Sequence, residues 1–161
     1  MNLLPALSRP TIGSLWATTS RLPLGNRVFS RLIGRIAPYT GTMGATVLEL
    51  GDGLCRAELR DRGAVRNHLR SLHAVALLNL GELTTGLAVM HAVDGRGRGI
   101  VKRLAMDYLK KARGTITATC RVEVPSEPGT HDLEVHGELV DGQGELVARV
   151  QATWKLDLEP R

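Results

Sequence analysis

The chain has 161 residues, 43% hydrophobic and 23% charged, a balance that suits one soluble globular domain able to bury a real core. Aromatic residues make up only 3%, so Trp16, Phe29, Tyr39, Tyr108 and Trp154 are a poor base-stacking kit and nucleic acid is not the expected partner. The formal net charge of +5 attracts anions, but Arg and Lys are spread along the chain, and a phosphorylated small molecule, an acidic carrier protein or an anionic membrane surface would use that charge equally well.

In chain order, "MNLLPALSRP" lacks a basic segment followed by a sustained apolar one, so a secretory signal is not expected. Residues 1–40 read as a helical extension interrupted at Pro5, Pro10, Pro23 and Pro38. Its clearest pattern is 26–37, "NRVFSRLIGRIA", with Asn26 as cap and Val28, Phe29, Leu32, Ile33 and Ile36 on one face. The opposite face carries Arg27, Arg31 and Arg35, which reads as a solvated surface or a docking stripe for a carrier protein or membrane.

A second region, 41–158, changes to strand periodicity. "TVLEL" and "LCRAELR" flank Gly51-Asp52-Gly53, the turn chemistry of a hairpin. Four later runs alternate in the same way: 99–111, 115–124, 132–140 and 145–156. In the first of these, Ile100, Lys102, Leu104, Met106 and Tyr108 are expected on one face. Cys55 and Cys120 form no C-x-x-C pair and read as small inward-facing strand residues, which suits a reducing cytoplasm.

Between the second and third strands lies an apolar helix, 71–92, with Ser71 as its expected cap. Asn79, Gly81, Glu82, Thr84 and Thr85 at its middle argue against a membrane span and for a buried core helix. The expected fold class is therefore α+β, an antiparallel sheet wrapped around one long central helix.

The carboxylate Glu82 is the feature that asks for an explanation, because burying an acid without a use costs stability. Pairing with a buried Arg, bonding to Thr85, or exposure at a helix end would each supply a structural one. A helix start offers unpaired amides to an oxyanion or a carbonyl, here those of His73, Ala74 and Val75, with Asn67 and His68 just before. Glu82 follows His73 by nine residues, roughly 13 Å along the axis, so one helix cannot bring both to one carbonyl. Two copies paired about a twofold axis can. Asn67 as a turn residue and His73 bonded to backbone are the plain structural alternatives. His91, His131 and His136 suggest no site, and no spacing resembles a metal site.

"NHLRSLHAVALLNLGE", 67–82, resembles the N-x-x-G-x-x-H-G-G…D/E signature of hot-dog fold acyl-CoA thioesterases of the phenylacetate-pathway type. "VKRLAMDYLKKARGTITATCRVEV" is similar to a branch of that superfamily with an N-terminal helical extension, and the resemblance covers roughly 40–157. It implies hydrolysis of an acyl thioester, with Glu82 as general base or nucleophile, Asn67 placing substrate or water, and His73 preceding the Ala74 and Val75 amides that polarise the carbonyl. Arg70 stands at a usual glycine and Ala74-Val75 replace Gly-Gly. The family binds coenzyme A near the dimer surface, which makes Arg96, Arg98, Lys102, Lys110, Lys111 and Arg113 the candidate phosphate contacts, with a solvated loop as the alternative reading. Coenzyme A enters as part of the substrate, with no separate cofactor and no metal, in a homodimer or homotetramer. Non-catalytic acyl-CoA or lipid binding on the same fold is the alternative function.

Overall fold

The computed structural model describes residues 10–160, so residues 1–9, part of the expected helical extension, lie outside it. Thr11 opens the first helix, α1 (Ile12–Thr19), by accepting the Ser14 amide on its hydroxyl. α2 (Gly25–Ile36) follows, then α3 (Pro38–Thr42), where a proline in the first turn costs no helical hydrogen bond. On α2, Phe29 and Ile33 are buried while Arg27, Arg31 and Arg35 face solvent, as the periodicity predicts. Two details differ. Leu24, in a left-handed conformation, occupies the N-cap position, and Asn26 instead donates from Nδ2 to the Leu48 carbonyl at 2.9 Å. Ile36 is 70% exposed, because α2 ends there and Ala37-Pro38 turns the chain into α3.

β1 (Thr46–Gly51) and β2 (Leu54–Leu59) form the expected antiparallel hairpin. Gly53 in its turn is required: its φ is +70°, and a Cβ there would lie 2.1 Å from the Val122 carbonyl oxygen. The central helix, α4, spans Ala74–Val93, and β3 (Gly97–Tyr108), β4 (Ile116–Arg121), β5 (Gly129–Val140) and β6 (Leu146–Leu158) complete the sequence. The six strands make one antiparallel sheet in the order β1-β2-β4-β5-β6-β3. β1 and β3 are its edges.

α4 is long and apolar enough to cross a membrane, but the sheet encloses it instead. An apolar helix without a polar stripe has no face to give to water. Leu80, Leu87, Ala88 and Val89 share one core with Ala57, Ile116, Leu139 and Val150 of the sheet, and with Phe29 and Ile33 of α2. The helical segment is thus built into the same core. α4 lies close to the strands because two of its residues are glycines: a Cβ on Gly81 would come within 2.9 Å of Val150, and one on Gly86 within 2.9 Å of the Trp154 ring.

The alternation expected for β3 is broken by a bulge. The register with β6 shifts between Val101 and Arg103, so Lys102 is the extra residue. Two outward residues then stand in succession, and the phase changes. Ile100 is consequently 65% exposed, on the face opposite to Leu104 and Met106, rather than beside them.

Gly86→Val is expected to force α4 away from Trp154 and to cost about 1–3 kcal/mol in urea unfolding, as overpacking of a filled core does. A variant as stable as the wild type would show that this approach is not tight.

Candidate functional site

The loop 60–73 and the helix start form one hydrogen-bonded unit. Asn67 Oδ1 accepts the amides of Leu69 at 2.9 Å and Ser71 at 3.2 Å, together with the Ser71 hydroxyl at 3.2 Å. Its backbone N–H donates to the Ser71 carbonyl at 2.8 Å and its carbonyl accepts the Arg70 amide at 3.2 Å, closing the turn. Arg70 adopts φ +55°, the left-handed conformation that favours glycine, so the backbone geometry of a glycine position persists with a long side chain on it. Leu72 donates to Ala112 and His73 to Val65, at 2.9 and 2.8 Å. Asp61 ties the same loop to the β3–β4 connection by accepting from Arg66 at 2.5 Å and the Gly114 amide at 3.0 Å. The Arg66 guanidinium holds the Asp61 carboxyl below its ordinary value, although Arg66 itself is exposed and the pair adds little stability.

The helix starts later than the spacing predicts. His73, not Ser71, is the N-cap, and its Nδ1 accepts the Val75 amide at 3.1 Å. Ser71 is drawn away from that role because Asn67 already engages both its amide and its hydroxyl. Accepting at Nδ1 gives a neutral His73 its proton on Nε2. Of the two helix-start amides expected to polarise a carbonyl, Val75 is therefore occupied by the cap, while the Ala74 amide has no partner among the described residues. The Tyr108 hydroxyl donates to the Ala74 carbonyl at 2.9 Å, pinning the end of β3 to the helix start. Sequence periodicity gave no signal of this contact, since it places Tyr108 on a strand face and says nothing of what that face meets.

Glu82 lies in the middle of α4, partly buried. Its carboxylate has no hydrogen-bond or ion-pair partner among the described residues, and the Thr85 hydroxyl bonds the Glu82 backbone carbonyl instead, at 3.1 Å. Burial pushes the Glu82 carboxyl above its ordinary value. Val75, Leu78 and Glu82 follow one another at helical spacing, and all three retain exposure where most of α4 has none. Near this stripe Leu69, Tyr108 and Leu109 are also exposed apolar or aromatic side chains.

The six basic residues expected to contact phosphate are not gathered as a free cluster. Lys102 pairs with Asp132 at 2.6 Å, Arg98 with Asp157 at 3.3 Å, and Lys110 with Asp141 at 2.7 Å and also with Glu145. Arg96 Nη1 is buried without a partner in the described residues. Lys111 and Arg113 are exposed in the β3–β4 connection, with no carboxylate paired to them among the described residues.

A carboxyl that titrates higher in the folded than in the unfolded chain binds more protons when folded. Stability then falls as pH rises from the ordinary carboxylate value through the raised one. Glu82→Gln, neutral throughout, is expected to be more stable than the wild type near pH 7 and to lose that advantage near pH 4. Urea unfolding across that range checks it, and equal stability at both ends would refute the burial. Asn67→Ala should destabilise by about 1–3 kcal/mol by leaving loop donors unmatched, whereas Asn67→Asp keeps the acceptor and most of the stability. Equal losses in the two variants would contradict this role for the Asn67 oxygen.

Comparison with known proteins supports the same architecture. Residues 25–156 match the family described as "Domain of unknown function (DUF4442)". No protein among the curated ones matches the chain by sequence. Among solved structures, a protein of unknown function from Pseudomonas aeruginosa, called a "Probable Thioesterase", is 25% identical and covers 86% of this chain and 97% of its own, with a TM-score of 0.73. The "putative thioesterase, phenylacetic acid degradation-related protein" of Ralstonia eutropha is 20% identical, covering 78% and 97% at a TM-score of 0.64. A mutant of a thioesterase enzyme from Staphylococcus aureus is 17% identical, covering 74% and 98% at a TM-score of 0.65. The fold is the hot-dog fold.

Proposed function

The chain belongs to the DUF4442 family, and on that premise we propose that it hydrolyses an acyl thioester, acyl-CoA, as a cytoplasmic homodimer or homotetramer. The observation that carries this reading is Glu82: an unpaired carboxyl, raised by burial, in the middle of an enclosed helix. An acid with no structural partner, tuned towards neutral pH, suits a general base or a nucleophile. Thioesterase names among the structural neighbours support the reaction class.

The second chain follows from distance. His73 and Glu82 are separated along one helix, so a single copy does not present both to one carbonyl. β3 is a twelve-residue edge strand whose outer backbone is unpaired, and it exposes Ile100. An edge of that length invites strand pairing, and Leu69, Val75, Tyr108 and Leu109 add apolar surface near the helix start. Pairing through this edge would bring Glu82 of one copy towards the helix start of the other.

In that site the Ala74 amide polarises the thioester carbonyl and Asn67 holds the loop that presents it. Water adds to the carbonyl carbon as Glu82 takes its proton. The carbon–sulfur bond then breaks, and the thiolate leaves and is protonated. In the nucleophilic variant, Glu82 adds to the carbonyl carbon first and the thiolate is expelled, and water then cleaves the resulting anhydride to release the acid and free Glu82. A second reading, acyl-CoA binding without turnover, draws on one observation: the His73 ring occupies the Val75 amide that would otherwise help the carbonyl.

Thiol release from short, long and aromatic acyl-CoAs tests the reading. Glu82→Gln is expected to fold and assemble normally and to lose about 10²-fold or more in kcat. Undiminished turnover in the variant would remove Glu82 from the chemistry. Acyl-CoA bound by the wild type with no turnover of any substrate would establish the second reading.

A further inference from the structure

α2, α3 and β1 border a cavity of about 880 Å³ that none of the residues discussed above as catalytic lines. Four of its lining residues are arginines, Arg27, Arg31, Arg35 and Arg60, and its apolar lining includes Ile33, Val47 and Leu83. No carboxylate lines it. Arg60 pairs with Glu58 at 3.2 Å, and Arg27, Arg31 and Arg35 have no ion-pair partner among the described residues. Spaced four apart on one helix, these three repel one another, and Arg27 in the first turn also opposes the helix dipole. Only Arg35, in the last turn, is favourably placed in that respect. The local electrostatics of α2 therefore do not explain the arrangement, and an anion brought to it would.

We infer that this cavity binds the phosphates of the thioester's carrier, coenzyme A, a subsite that rests on the thioesterase reading and extends it. Guanidinium groups grip phosphate oxygens in pairs, and several of them along one groove suit a head that carries several phosphates. The apolar lining suits an attached organic arm better than a bare ion. It also reaches α4 at Leu83, the residue after Glu82, so a carrier held here by its phosphates keeps its arm beside the helix that bears the candidate acid. The competing basic set in 96–113 has three of its members already paired with carboxylates. The unpaired arginines of α2 have no such competitor to displace.

The test is calorimetric titration of the full chain with coenzyme A and with phosphate-free pantetheine, using the wild type and the Arg31→Gln/Arg35→Gln double variant. Coenzyme A is expected to bind at least about tenfold more tightly than pantetheine, and less tightly as ionic strength rises. The double variant should lose about tenfold or more in coenzyme A affinity while melting no lower than the wild type, since it relieves repulsion. Should the pair of changes impair folding, Arg31→Gln alone is read in the same way, with a loss of several-fold. Unchanged affinity in a folded variant overturns the subsite, as does equal binding of the two ligands. Sedimentation with anionic phospholipid vesicles that depends on Arg31 and Arg35 and is not competed by coenzyme A would assign the arginines to a membrane surface and also overturn it.

The two readings fail separately. Groove-dependent coenzyme A binding without hydrolysis of any acyl-CoA would leave the subsite standing and remove the thioesterase. Hydrolysis with a KM indifferent to the double variant would do the reverse.

Discussion

Enclosure of an apolar helix by a sheet sets the conditions for everything else in this molecule. α4 carries apolar side chains around most of its circumference, so the strands must wrap it and the N-terminal helices must close over what remains. Gly81 and Gly86 let the helix axis come close to β6. Glu82, at the middle of the same helix, is partly buried. The same packing that stabilises the fold thus makes Glu82 a poor solute and raises its proton affinity.

In the loop before α4 a structural role coincides with the proposed functional one. Asn67 spends its side-chain oxygen on three donors, and Arg70 holds a left-handed backbone in the same turn. With Asp61 tied to Gly114 and Tyr108 bonded to Ala74, the helix start is braced from both sides. Preorganised amides polarise a carbonyl only when they do not move to meet it, so bracing of this kind is what the proposed reaction needs from the loop. The His73 cap cuts the other way, since it withdraws the Val75 amide from that task.

Charge divides the surface into two populations. On β3 and the connection after it, Arg98, Lys102 and Lys110 are matched by carboxylates of neighbouring strands and turns, so half of a positive sequence stretch is neutralised in place. On α2 the arginines have no such neighbours. Net charge and spacing alone could not separate the two, because the partners of Lys102 and Lys110 lie 30 residues or more away in the chain.

The sequence by itself determined the α+β class, the strand order along the chain, the central helix and its single acid, and the amphipathic α2, because each rests on local periodicity that burial enforces residue by residue. The β1–β2 turn was legible for the same reason, through glycines that only such a turn requires. Tertiary structure decided the rest. Whether Ser71 or His73 caps α4 depended on Asn67 claiming Ser71 first. The face of Ile100 depended on a bulge set by pairing with β6, since an alternating pattern does not reveal one extra residue. Which arginines remain unpaired depended on strands distant in sequence, and contacts of that kind are chosen by the packed sheet rather than by neighbours along the chain.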